Sequence, residues 1–226
     1  MLQHQKQLPT AQATMAEDLQ NIELVMLTLE DFEEVVVLTK HHFLKRNPLF
    51  IAAKETSESY GESSELTIKS ALDSGFSLGF REKTKKKLVG VNLTLVQNVN
   101  QLLKHDTYKL TKQSAVYRIL AMIDADATMF PDVTCCLYLL MVCVHADYCG
   151  RGLARMMTQK VLEMGRERGI DAACVQAINT LSARIYTRLG FETVKSLDLS
   201  TITDELGLDL SLIPQQETTI KLMLKR

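Results

Sequence analysis

Val142-Cys143-Val144-His145-Ala146-Asp147-Tyr148-Cys149-Gly150-Arg151-Gly152-Leu153-Ala154 is an apolar strand running into a glycine turn that opens an amphipathic helix. The first turn of a helix leaves backbone N–H groups unpaired, and the helix dipole adds partial positive charge there. Glycines let that backbone approach an anion without a Cβ in the way. Such a turn suits a phosphate or diphosphate. A P-loop would need Gly-Lys-Ser/Thr, where this chain has Gly152-Leu153-Ala154. A dinucleotide fingerprint would need a third glycine where Arg155 stands. By itself the turn fits a plain strand-to-helix connection equally well.

Outward from this turn the pattern alternates strands and helices. The apolar run Cys135 to Val144, bounded by turn signals, predicts a strand covered on both faces. After the turn comes a helix from about Leu153 to Arg168, ended by Gly169. A strand follows at Ile170–Ala177, then a short helix at Leu181–Leu189 with Gly190 after it. Strands near Phe191–Leu197 and Thr218–Leu224 close the chain. Toward the N-terminus, Ile22–Leu29 reads as a strand, and the acids Glu30 and Asp31 open a helix running to about Leu44. Pro48 restricts the residue before it, so that helix stops near Asn47. Glu62–Asp73 is a second helix, Phe76–Phe80 and Leu88–Val96 a pair of strands, and Lys112–Ala127 a helix punctuated by Pro131. Residues 1–20 read as a flexible tail, and residues 21–226 as one α/β domain with a mixed sheet.

Composition narrows the classes. Among 226 residues, 26 basic side chains face 27 acidic ones, and 46% of the chain is hydrophobic. This excludes a disordered chain and supplies no positive field for nucleic acid. The longest apolar run is about half of what spans a bilayer, and the N-terminal twenty residues lack the apolar core of a secretory signal. The five cysteines form no Cys-x-x-Cys pair, which points to free thiols in a reducing cytoplasm and to no metal site.

A second segment lies about 25 residues downstream of the turn: Asn179-Thr180-Leu181-Ser182-Ala183-Arg184-Ile185-Tyr186-Thr187-Arg188-Leu189-Gly190-Phe191. Together the two segments resemble the GNAT superfamily of acyl-CoA-dependent N-acyltransferases. The first matches that family's (Gln/Arg)-x-x-Gly-x-(Gly/Ala) pattern at Gly152 and Ala154, with Cys149 in place of Gln or Arg. The second matches its Asn-x-x-x-Ala-x-x-Tyr-x-x-Leu-Gly-Phe pattern. From Ile22 onward, the Phe43–Ala53 segment, the helical insertion and Ser182-Ala183-Arg184 also look like the insect arylalkylamine N-acetyltransferases.

The resemblance implies a GNAT fold: a mixed, twisted sheet of about seven strands, splayed between strands 4 and 5 and flanked by helices. Acetyl-CoA would lie in the splay as cosubstrate. Its pantetheine would bond the backbone of Val142, Cys143 and Val144, and its diphosphate the turn Cys149, Gly150, Arg151, Gly152, Leu153 and Ala154, with Asn179 nearby. Arg151 or Arg155 would supply the charge missing at Cys149, unless both merely face solvent. Tyr186 would protonate the departing thiolate, the Val144 N–H would polarise the carbonyl, and Ser182 would orient the amine or a water. Asn47 and Pro48 would line the acceptor pocket together with the Lys112–Ala127 insertion.

The base is the departure. The arylalkylamine group has a glutamate where this chain has Asn47, and an amide accepts no proton at neutral pH. General-base assistance is worth about 3–5 kcal/mol of barrier, so the loss implies a slower reaction, a base shifted to another group such as His42, Glu55 or His145, or a protein that binds CoA without fast turnover. Three functions follow: acetylation of a small primary amine (arylalkylamine or polyamine), acetylation of a peptide or protein, or acyl-CoA binding with little turnover. The small-amine enzyme is the expectation, acting as a monomer or weak dimer.

Overall fold

The computed structural model describes residues 20–99, 114–124, 127–130, 132–202 and 206–226. The expected tail (but for Gln20), both ends of the expected Lys112–Ala127 helix and Pro131 lie outside the described residues or at their margins. The strands are β1 (Ile22–Met26), β2 (Leu78–Glu82), β3 (Leu88–Asn98), β4 (Cys135–Val144), β5 (Ala172–Ala177), β6 (Glu192–Asp198) and β7 (Thr219–Lys225). Among the described residues the helices are α1 (Phe32–His42), α2 (Pro48–Ala52), α3 (Ser57–Asp73), α4 (Ala115–Met122), α5 (Leu153–Glu167) and α6 (Thr180–Arg188). None of them is long and apolar enough to cross a membrane.

The strands form one sheet in the order β1-β2-β3-β4-β5-β7-β6. Among the described residues only β4 and β5 pair in parallel, and only over Cys136↔Ala172, Leu137↔Ala173 and Tyr138↔Cys174. Past Tyr138 the two strands run on without a shared ladder, so the sheet opens where the resemblance implied it would.

A bulge accompanies the parting. Leu93 pairs with Met141 and Thr94 with Leu139, which leaves Leu140 as an extra residue in β4. A bulge bends its strand and sharpens the twist. It also resets which side chains share a face. Below it, Leu137 and Leu139 join the apolar cluster under α5; above it, Val142 and Val144 take that side. Met141 and Cys143 then join Tyr138 on the opposite face, in the cluster containing Leu38 of α1 and Tyr60 of α3.

Two devices fix α5 over this region. At its lower end Gly165 lies so close to β4 that a Cβ there would sit 2.6 Å from Leu137 Cδ1 and 2.8 Å from the Ile170 carbonyl. Higher up, buried Asn92 of β3 donates to Thr158 Oγ1 at 3.0 Å. On the other face, Arg81 of β2 pairs with Asp31 at 2.7 Å and Glu34 at 2.6 Å, while Glu34 also accepts the Leu88 N–H. These contacts hold α1 against the β2–β3 hairpin, with its C-terminal end beside the end of β4.

Some boundaries differ from expectation, two of them for clear local reasons. Pro48 opens α2 instead of merely ending what precedes it, because proline suits the first helical position and Asn47 caps it. Helix α3 begins at Ser57, five residues before the expected Glu62, because Thr56 and Ser59 form a capping box. The insertion helix is confined to Ala115–Met122 within the described residues.

Candidate active site

At the upper end of β4, the His145 N–H donates to the Val89 carbonyl of β3 at 2.8 Å. Backbone groups alternate sides along an antiparallel strand, so the N–H and C=O of Val144 and Val142 face the other way. There β5 has already departed. The result is an open backbone edge inside the sheet.

Beyond this edge, a short turn at Ala146–Tyr148 leads to Cys149, Gly150 and Gly152. Both glycines have φ of +78°, the left-handed conformation that favours glycine. A Cβ at either would meet nothing within 4 Å. Leu153 is buried and anchors the first turn of α5, Ala154 follows it, and no side chain caps the helix. The unpaired amides of this 15-residue helix therefore face open space at the mouth of the parting. The site fits a diphosphate with an extended chain laid along β4.

The N-terminus of α6 is closed by contrast. Asn179 Oδ1 accepts the Ser182 N–H at 2.7 Å, and Ser182 Oγ donates to the Asn179 carbonyl at 2.9 Å. Thr180 donates its N–H and hydroxyl to Glu217 at 2.8 and 2.6 Å. Asn179 and Ser182 thus form a capping box, and the Ser182 hydroxyl is committed to local backbone. Tyr186, one turn on, is buried, with its ring edge-on to Phe191 at 5.4 Å. It shares a cluster with Leu139 of β4 and with Val175 and Ala177 of β5, the residues flanking the parting. Burial pushes its hydroxyl well above the ordinary tyrosine range, so it stays protonated. A groove of about 450 Å³ lined by Arg184, Arg188 and Lys221 lies between α6 and β7, outside the parting.

The α1–α2 connection forms the remaining wall. Asn47 is buried, and its Oδ1 accepts the Leu49 N–H at 3.0 Å, so the residue in the glutamate's place is a helix cap. Pro48 is buried behind it. Arg46 donates from Nε to the His42 carbonyl at 2.6 Å, from one terminal nitrogen to Cys149 Sγ at 3.0 Å, and from the other to the Val144 carbonyl. The two arginines expected beside the turn and Arg46 are placed differently. Arg151 is tied back to the Asp147 carbonyl at 2.7 Å and lies over the Tyr148 ring, Arg155 is exposed on α5, and Arg46 stands at Cys149. Sequence reasoning missed Arg46 because 103 positions separate it from Cys149. The one available signal was its place beside Asn47.

The proposed substitutes for the base fall in two places. The His42 and His145 rings lie 4.1 Å apart at the end of β4. Burial first, then the His145, Arg46, His41 and Lys87 charges, lowers the His42 pKa below the ordinary imidazole value. Glu55 stands apart: Oε2 accepts the Ser114 hydroxyl at 3.0 Å just before α4, and Oε1 is buried without a partner. Buried Cys143 has its thiol pushed up to about 12 by desolvation, against the opposing charge of Arg46. All five cysteines are free, and no metal-holding cluster occurs among the described residues.

A family model described as an acetyltransferase (GNAT) domain matches residues 26–194. Among solved structures, the chain is similar to the mosquito arylalkylamine N-acetyltransferase like 5b, at 18% identity, TM-score 0.73, covering 90% of this chain and 99% of that one. It is also similar to arylalkylamine N-acetyltransferase 2 from Aedes aegypti, at 19% identity and TM-score 0.75 over 91% and 98% of the two chains. The Drosophila melanogaster polyamine N-acetyltransferase aligns at 15% identity and TM-score 0.76 over 90% and 98%. At these identities the likeness carries the fold.

Proposed function

The chain belongs to the GNAT acetyltransferase family, and from that premise we propose that it transfers the acetyl group of acetyl-CoA to a small primary amine, with both substrates bound together. The observation that carries this reading is the parting of β4 and β5 beyond Tyr138, beside an uncapped glycine turn. Acetyl-CoA, when bound, supplies the activated acetyl thioester.

The chain's own groups divide the remaining work. The amides from Gly150 to Ala154 hold the diphosphate. The outward groups of Val142 hold the pantetheine arm, and the Val144 N–H donates to the carbonyl oxygen as negative charge develops there. Cys143, whose main chain faces β3, positions these neighbours without touching the arm. Tyr186 keeps a proton for the departing thiolate, a role supported by its place with Leu139, Val175 and Ala177 beside the parting. His42 takes the proton of the acceptor amine: its lowered pKa keeps the imidazole neutral at physiological pH, and it lies against His145 at the end of β4. Asn179 and Ser182 set the start of α6 and hence the position of Tyr186, while Asn47 and Pro48 shape the acceptor wall.

The acceptor is an arylalkylamine or a polyamine. A panel of both kinds offered with acetyl-CoA, read as CoA released, tests the proposal. Saturable acetyl-CoA binding with no release from any acceptor would mark a binding protein instead.

A further inference from the structure

We propose that Arg46 is the cation of the diphosphate site, reaching it from the α1–α2 connection in place of the residue that Cys149 displaces from the turn. The inference rests on the acetyl-CoA reading above and deepens it.

Three bonds set the guanidinium in place, to the carbonyl of His42, to Cys149 Sγ and to the carbonyl of Val144. Guanidinium carries five N–H donors in a fixed plane. With three engaged, donors remain for an anion at the beginning of the turn. Cys149 directly precedes Gly150, so this charge stands at the same mouth as the free amides of α5. A longer side chain at 149 would occupy the space that the guanidinium fills. No carboxylate pairs with Arg46 among the described residues, whereas Arg81, the other arginine close to α1, has two. Arg46 is thus a placed cation without a counter-charge, beside amides that also lack partners. The same bonds narrow the pantetheine's share of β4: with the Val144 carbonyl taken by Arg46 and the Val144 N–H given to the thioester carbonyl, the arm is left the outward groups of Val142.

Calorimetric titration of Arg46→Ala with acetyl-CoA and with dephospho-CoA, which keeps the diphosphate but lacks the 3′-phosphate, tests the assignment. Both affinities should fall roughly 10- to 100-fold, the range for hydrogen bonds to charged groups. Adding Cys149→Arg to Arg46→Ala should restore most of the loss by returning the charge to the turn itself. If Arg46→Ala binds both ligands like the unaltered protein, or if the double variant stays as weak as the single one, Arg46 is a structural tie and the proposal is overturned. Should Arg46→Ala fail to fold, Arg46→Gln removes the charge while keeping amide donors, and the same two outcomes apply. Unaltered protein that does not bind acetyl-CoA would instead overturn the acetyltransferase reading itself.

Discussion

Placing aspartate at Gly152 puts a negative charge where the uncapped amides of α5 meet open space. A Cβ there has no neighbour within 4 Å, so the side chain enters the ligand's volume without displacing protein. Two costs separate cleanly. The φ of +78° imposes on any L-residue a left-handed strain of about 1–2 kcal/mol. At about 2–4 °C per kcal/mol for a chain of this size, that lowers Tm by roughly 2–8 °C. Gly152→Ala carries this strain alone. Gly152→Asp adds charge repulsion of about 3–4 kcal/mol for each phosphate charge at 4–5 Å and an effective dielectric near 20. That is a factor of roughly 10² to 10³ in Kd. The carboxylate also gains about 0.3–1 kcal/mol from the helix dipole, so the aspartate variant should melt no lower than the alanine one. Calorimetry with acetyl-CoA on both variants, beside their melting curves, gives the comparison. Equal Kd values for the two folded variants would refute the placement of the diphosphate.

Three further outcomes are expected. Tyr186→Phe should lower kcat by about 10²-fold while leaving the acetyl-CoA Kd unchanged; an unaltered kcat removes the tyrosine from the proton path. Gly165→Ala should destabilise by about 1–3 kcal/mol in denaturant titration, because its Cβ would overlap Leu137 and the Ile170 carbonyl; an unchanged midpoint would contradict that close approach. His42 has a folded pKa below its unfolded value, so the unfolded chain binds the proton first, and stability is lost as pH falls through about 6.5 toward the lowered pKa. The melting temperature of His42→Gln should therefore drop less between pH 7 and pH 5 than that of the unaltered protein, and parallel curves would exclude the effect.

Much of the framework was legible in local patterns. The apolar run at 135–144, the glycine turn, and the Leu189-Gly190-Phe191 ending each carry their structure in adjacent residues, and the elements formed within a few positions of expectation. Caps were readable in principle: Asn179 with Ser182, and Thr56 with Ser59, are short polar residues three apart at helix starts. Contacts across the chain were not. The bulge at Leu140 depends on how β3 pairs with β4, and nothing in Leu139-Leu140-Met141 distinguishes the extra residue. Arg46 reaches Cys149 only because α1 is held against the β2–β3 hairpin, a relation no spacing rule contains. The missing glutamate at Asn47 was plain in the sequence, but its use as a helix cap required the α2 backbone to be seen.

The bulge also bears on how such a cleft could be gained or lost. One codon, that of Leu140, supplies the extra residue that bends β4. Without it, Met141 would follow Leu139 in plain alternation and every side chain would keep its present face, but the straightened strand could continue beside β5. The outward amides would then be spent on an ordinary ladder. A pocket for chemistry would have become plain sheet through a single in-frame deletion, with no catalytic side chain altered.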